Sequence, residues 1–135
     1  MIKLIKEFEN ARKDFIETLN KFPKERVDEK LFGEWNLQEL VAHLTGWANH
    51  QSEYLNYLKN GVVKEKPKDL KNSINGRFVE SRNTFSWDEV YKEFIKATEK
   101  LISSYKELEI GEWSKPMYTG LKITPEEFIK IEMHH

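Results

Sequence analysis

The chain has four histidines and no cysteine, so any metal or proton-transfer chemistry falls to His43, His50, His134 and His135 together with the carboxylates. His43 lies in Trp35-Asn36-Leu37-Gln38-Glu39-Leu40-Val41-Ala42-His43-Leu44-Thr45-Gly46-Trp47. It stands three residues from Leu40 and four from Trp47, at the edge of an apolar helical stripe and facing inward. A buried imidazole needs either a hydrogen bond or a metal ion. His50 follows on nearly the same face, but roughly 10 Å along the axis at 1.5 Å per residue. That is too far to share one ion, so His50 and Trp47 are candidate pocket residues. Near the other end, Phe128, Ile131 and His135 are spaced three and four apart. His135 is thus the inward candidate, and His134 lies about 100° round the helix. Two histidines from facing helices, with a third one turn along, is a natural way to build a metal site in a bundle core. One turn back are Lys130 and Ile131, neither a plausible ligand, so this sequence supplies part of such a site. A terminal His-His also matches the stub of an affinity tag. The amphipathic run from Glu127 to Met133 favours native sequence.

Other chemistry is thin. The chain lacks a Gly-rich phosphate loop, a Gly-x-Ser-x-Gly elbow, a His-Glu-x-x-His pair and a calcium-type run of acids. Lys64, Lys66, Lys68 and Lys71 form a basic stretch diluted by Glu65 and Asp69, with no interleaved aromatic. No general base can be named.

The elements that must position these histidines are helical. Leu4, Phe8, Ala11, Phe15 and Leu19 define an amphipathic helix ending before Pro23. Asn36 and Glu39 make a capping box for a second helix, whose stripe is Leu37, Leu40, Leu44, Trp47, Tyr54 and Leu58, and which stops at Asn60-Gly61. Ser86 and Glu89 cap a third, with Val90, Tyr91, Phe94, Ala97, Leu101 and Tyr105 along one face. Thr124-Pro125-Glu126-Glu127 opens a fourth, and the sequence stops without a terminating residue, so the chain is expected to end inside that helix. Between the second and third helices, the segment around Pro67 reads as polar and mobile, and Leu70 to Arg82 suits a further short helix. Leu108 to Lys122 reads as an ordered crossover loop pinned by Trp113 and Tyr118. The expected fold is an all-α four-helix bundle, with long connections flanking the third helix, in one domain over 1–135.

Lys plus Arg is 22 against 23 Asp plus Glu, a formal net charge of -1, which argues against nucleic acid or anionic lipid as partner. There is neither a signal peptide nor a run of roughly 18 apolar residues, so a cytoplasmic, non-membrane protein is expected.

The Trp35-Asn36 to Trp47 phrase, the capped helix at Ser86-Trp87, and Thr124-Pro125-Glu126-Glu127 leading to His134-His135 resemble the DinB-like four-helix bundle superfamily, including its ClbS/DfsB and thiol-transferase branches. The likeness covers essentially the whole chain. It implies a divalent ion, commonly nickel or zinc, held by a histidine late in the second helix and two on the last. By position these are His43 and His134 or His135, and the third has no counterpart here. It further implies hydrolysis or thiol transfer on small electrophiles, with a low-molecular-weight thiol such as bacillithiol or glutathione as partner, in detoxification or self-protection, and a homodimer. The competing class is a non-catalytic bundle that binds a small ligand or dimerises through its helix faces.

Overall fold

A computed structural model describes residues 1–65, 72–119 and 122–133. Among the described residues, five α-helices carry the fold: α1 (Ile2–Lys21), α2 (Leu37–Lys59), α3 (Asn72–Glu80), α4 (Trp87–Lys106) and α5 (Pro125–Met133). The four expected principal helices are present, and α3 is the short extra one that Leu70 to Arg82 suggested. The segment around Pro67 lies outside the described residues.

The starts and stops follow local chemistry. Asn36 accepts from the Glu39 amide at 2.8 Å while the Glu39 carboxylate accepts from the Asn36 amide at 3.1 Å. Ser86 and Glu89 form the same reciprocal pair at the head of α4. Both boxes satisfy backbone donors that the first helical turn leaves without an intrahelical partner. Thr124 accepts from the Glu127 amide at 3.3 Å and opens α5. Gly61, at φ +77°, takes the left-handed turn that ends α2.

α2 is the central element, packed on α4 along one side and on α3 along another, while α1 packs on α5 and α4. The apolar interior has two parts. One gathers Phe8, Leu55, Leu101, Tyr105, Trp113 and Ile129; the other gathers Leu19, Leu37, Val41, Leu44, Val90 and Phe94. Each such side chain stabilises the fold by about 1.5–3 kcal/mol when fully buried.

Two stripes depart in part from the sequence reading. In α2, Leu37, Leu44 and Leu58 are buried as expected and Val41, Ala42, Ala48 and Leu55 join them, while Leu40, Trp47 and Tyr54 are only half-buried. A helix with neighbours on two sides buries more than one stripe, so small residues enter the contacts. In α5 the buried residues are Pro125, Phe128, Ile129 and Glu132, and Ile131 is 46% exposed. The expected line through Phe128 and Ile131 is therefore wrong in phase: Glu132 takes the inward place because Arg12 of α1 receives it.

The connections contain more structure than expected. Ile110–Ser114 forms a 3₁₀ turn that buries Trp113 against Tyr105, with stacked rings 5.5 Å apart. Two short parallel strands, β1 (Lys64–Glu65) and β2 (Tyr118–Thr119), pair Lys64 with Tyr118 and Glu65 with Thr119. At two residues each they are too short to leave an alternating sequence signal. Trp113 and Tyr118 are both buried, as a pinned crossover requires.

Gly46 lets α3 dock. A Cβ there would overlap Phe78 Cβ and Cγ, the inflexible base of that side chain. Gly46→Ala should lower stability by about 1–3 kcal/mol in urea denaturation, through overpacking. With Phe78→Gly already present, which removes the Cβ as well as the ring, the sign should reverse, because Ala then gains up to about 1 kcal/mol of helix propensity over Gly. An equal cost in both backgrounds would show that the Phe78 side chain is not what Gly46 accommodates.

Candidate functional site

The face of α2 carrying Gly46, Asn49, His50 and Glu53 looks into a cleft of about 640 Å³, closed by Phe78 and Arg82 on one side and by α4 on the other. Arg82 holds that wall in place. Its guanidinium donates to both carboxylate oxygens of Glu93, at 2.6 and 3.0 Å, and to the Phe78 carbonyl at 2.9 Å, tying the end of α3 to α4. This is the bidentate geometry in which Arg–carboxylate pairs are strongest.

His50 sits in an aromatic surround. Its ring centroid is 4.4 Å from Tyr54, 5.3 Å from Trp47, 6.1 Å from Tyr118 and 6.5 Å from Phe78. Its Nε2 and the Tyr118 hydroxyl are hydrogen-bonded at 2.9 Å. Burial among these rings lowers the His50 pKa to about 4, against a smaller opposing pull from Glu53. Burial likewise raises the Tyr118 phenol well above its ordinary value. Near neutral pH both groups are therefore uncharged. The phenol is the better proton donor of the two, so the favoured arrangement has Tyr118 O–H donating to Nε2, which leaves the proton on Nδ1. Such an imidazole can donate its Nδ1–H to a neutral acceptor on a bound molecule. It is a weak base at pH 7. Tyr118 is positioned from below by β2 and by Tyr54, 4.8 Å away, whose own hydroxyl donates to the Glu65 carbonyl. The sequence singled out His50 as a pocket residue but not Tyr118 as its partner. The pairing spans 68 residues and arises from the crossover, which no local spacing announces.

His43 is half-buried, with its ring 4.8 Å from that of Trp35 and its Nδ1 sealed from solvent. Trp35, just ahead of the α2 cap, is thus a neighbour the sequence reading did not assign. His134 and His135 lie outside the described residues. Among the described residues, no three histidine, aspartate or glutamate side chains lie together as a metal ion would need. The described part of the chain therefore does not by itself provide a nickel or zinc site.

Trp47 lines a second, smaller cavity of about 150 Å³, with Gln51 on the same helix and Arg12 and Glu132 across from it. Arg12 Nη2 donates to Glu132 Oε2 at 3.3 Å, with both side chains almost fully buried, and the guanidinium lies 5.0 Å over the Phe8 ring. Burial raises the Glu132 pKa to about 7, while Arg12 works the other way through its charge and hydrogen bond.

The two perturbed groups give opposite pH dependences. His50 titrates near 6.5 unfolded and near 4 folded, so between those values the unfolded chain binds more protons and stability rises with pH. The His50 contribution is complete above about pH 6.5 and lost as pH falls to about 4. Glu132, raised from 4.5 to about 7, makes stability fall with pH across its own window. Subtracting the urea-unfolding profile of His50→Gln from that of the wild type cancels the Glu132 part. The difference should grow by on the order of 2 kcal/mol from pH 4 to pH 6.5 and then level off. A flat difference curve would mean that His50 is not held neutral.

No helix among the described residues is long and apolar enough to cross a membrane. No curated protein and no solved structure matches the chain. The family model for the DinB superfamily matches residues 7–135, which takes in α1 from Glu7 onward, α2 to α5, the His50 cleft and His43. The chain belongs to the DinB superfamily.

Proposed function

We propose that this protein binds and converts a small organic molecule in the cleft over His50, as a hydrolase or thiol transferase of the detoxification or self-protection type. The observation that carries the reading is the neutral His50 imidazole, bonded to Tyr118 and facing a cleft of about 640 Å³ walled by α2, α3 and α4. Pockets that combine aromatic walls with a few convergent polar groups are the usual binding sites of small molecules. His50 would orient the bound molecule through a hydrogen bond, and the exposed polar rim would admit a low-molecular-weight thiol. DinB proteins often bind a divalent metal. A metal-dependent form of this activity, with nickel or zinc, would draw on His43 with His134 and His135 as ligands, and the ion would supply an activated water or thiol. Of the expected pocket residues, His50 faces this cleft, whereas Trp47 and the last helix line the separate, smaller cavity.

One observation favours a second reading, a non-catalytic bundle that binds its ligand without converting it. An imidazole titrating near 4 is a poor proton acceptor at pH 7, which suits recognition better than general-base work. Assays with added nickel or zinc, glutathione and electrophilic test compounds such as activated esters and halonitrobenzenes separate the two. Turnover that drops at least tenfold in His50→Gln, with the circular dichroism spectrum unchanged, is the expected result. Absence of turnover together with a ligand-induced thermal shift that His50→Gln removes would establish the binding module. With neither turnover nor shift, the cleft would have no small-molecule role. Metal content of the wild type against His43→Ala tests the ligand assignment independently. Stoichiometric metal lost in the variant is expected, and equal metal in both would remove His43 from the ligand set.

A further inference from the structure

Among the described residues, four charged side chains line the cleft over His50, and two of them are already matched. Arg82 is held by Glu93, and Glu107 by Lys59 at 2.9 Å. That leaves Glu53 on α2 and Lys100 on α4, neither of which forms an ion pair among the described residues. Glu53 accepts from the Tyr57 hydroxyl at 2.9 Å, and a carboxylate has room for further donors. The two charges face each other across the cleft. Gln38 donates to the Phe85 carbonyl 47 residues on, and Lys59 pairs with Glu107 48 residues on, so α2 and α4 run in the same direction and Glu53 stands level with Lys100.

His50 adds a third group. It precedes Glu53 by one helical turn, about 4.5 Å along the axis. Its Nε2 is taken by Tyr118, whereas its Nδ1 has no partner among the described residues and is not sealed from solvent. With the Tyr118 O–H donating to Nε2, Nδ1 carries the proton and offers the cleft a donor. The half-buried Phe78 ring is an apolar wall on the α3 side.

These groups define what fits. A singly charged molecule would match Glu53 or Lys100 and leave the other without a counter-charge. A molecule with a cationic and an anionic end matches both, and its net charge of zero agrees with the balance of the lining. Between those ends the His50 N–H calls for an acceptor, which a carbonyl supplies. Ammonium, carbonyl and carboxylate in that order are the groups of a dipeptide with free ends, whose two charges lie about 6 Å apart when extended. A free amino acid carries both charges on one carbon and has no acceptor between them.

We propose that the cleft recognises a small zwitterion of the free-dipeptide type, its ammonium on Glu53, its carboxylate on Lys100 and its carbonyl on the His50 Nδ1–H. This deepens the reading of the cleft as a small-molecule site and rests on it.

The probe is glycyl-leucine, whose apolar side chain suits the Phe78 wall. Acetyl-leucine lacks only its ammonium, and glycyl-leucinamide lacks its carboxylate. Binding is followed by amide NMR shift titration of the intact protein. Glycyl-leucine should saturate shifts at Asn49 and His50 in the millimolar range, and each analogue should bind about two- to fivefold more weakly, as expected for partly solvated charge pairs. In Glu53→Gln the preference over acetyl-leucine should vanish while that over glycyl-leucinamide remains, and Lys100→Gln should do the reverse. Both side chains are exposed, and Glu53→Gln keeps an acceptor for Tyr57, so the fold is retained. Equal binding of all three probes by the wild type would overturn the proposal and leave the small-molecule reading standing. A preference that survives its own variant would overturn it as well, since another group would then read that charge. Absence of saturable shifts with glycyl-leucine at roughly 50 mM would also overturn it. A His50-dependent thermal shift with the electrophilic test compounds would then confine the failure to the zwitterion, and absence of that shift too would remove both readings.

Discussion

Helix α2 has to be covered on more than one side, and the contact between Gly46 and Phe78 is where that requirement is most stringent. A helix that meets α4 on one flank and α3 on another cannot present large side chains everywhere. It carries Ala42, Thr45, Gly46, Ala48 and Ser52 at buried positions instead. The two hydroxyls are accommodated locally: Thr45 donates to the Val41 carbonyl at 2.7 Å and Ser52 to the Ala48 carbonyl at 2.9 Å. Neither needs a partner from another helix. With α3 this close, Phe78 reaches Trp47 and His50, and Arg82 can hold Glu93 and the Phe78 carbonyl together. A larger residue at Gly46 would hold α3 off, and the cleft would lose the wall that makes His50 half-buried.

The Arg12–Glu132 pair imposes a second constraint, of a different kind. Burying two charges is costly, and one hydrogen bond of 3.3 Å returns only part of that cost, which is why burial outweighs Arg12 in setting the Glu132 pKa. Such a pair adds little net stability. It does restrict the rotation of a helix of only nine residues. A turn of α5 that brought Ile131 inward would carry Glu132 away from the only arginine placed to receive it and leave a buried guanidinium unmatched.

That constraint explains much of what could and could not be read from the sequence. The helix starts were legible because each cap is a contact within four residues: Asn36 with Glu39, Ser86 with Glu89, Thr124 with Glu127. The stripe of α4 was legible for a related reason, since Val90, Phe94, Ala97, Leu101 and Tyr105 fall on one helix face that runs along both parts of the interior. In α5 apolar periodicity chose Ile131 over Glu132, because an acid is a poor guess for an interior position until the arginine 120 residues away is known. His50 was legible as a pocket residue, whereas Tyr118 depended on the pairing of β1 with β2, a tertiary event with no local signature. His43 was found at its place on α2, and Trp35, only eight residues before it in the chain, was not matched to it because the bend ahead of the cap folds one ring onto the other.

Both cavities are built on α2, and helical geometry keeps them apart. Gly46, His50 and Glu53 recur at four and three residues and face the larger cleft, while Leu44, Trp47 and Gln51 recur at three and four and face the smaller cavity. Neighbours in sequence, His50 and Gln51, therefore serve different faces, being about 100° apart round the axis. Trp47 is the shared partition. One edge of its indole lies against His50 and Phe78, and the side chain also lines the cavity that holds Glu132. A substitution at Trp47 would alter both spaces at once and could not assign an effect to either. His50 and Ile131 each touch one space only, so the geometry of a single helix makes the two spaces separately addressable.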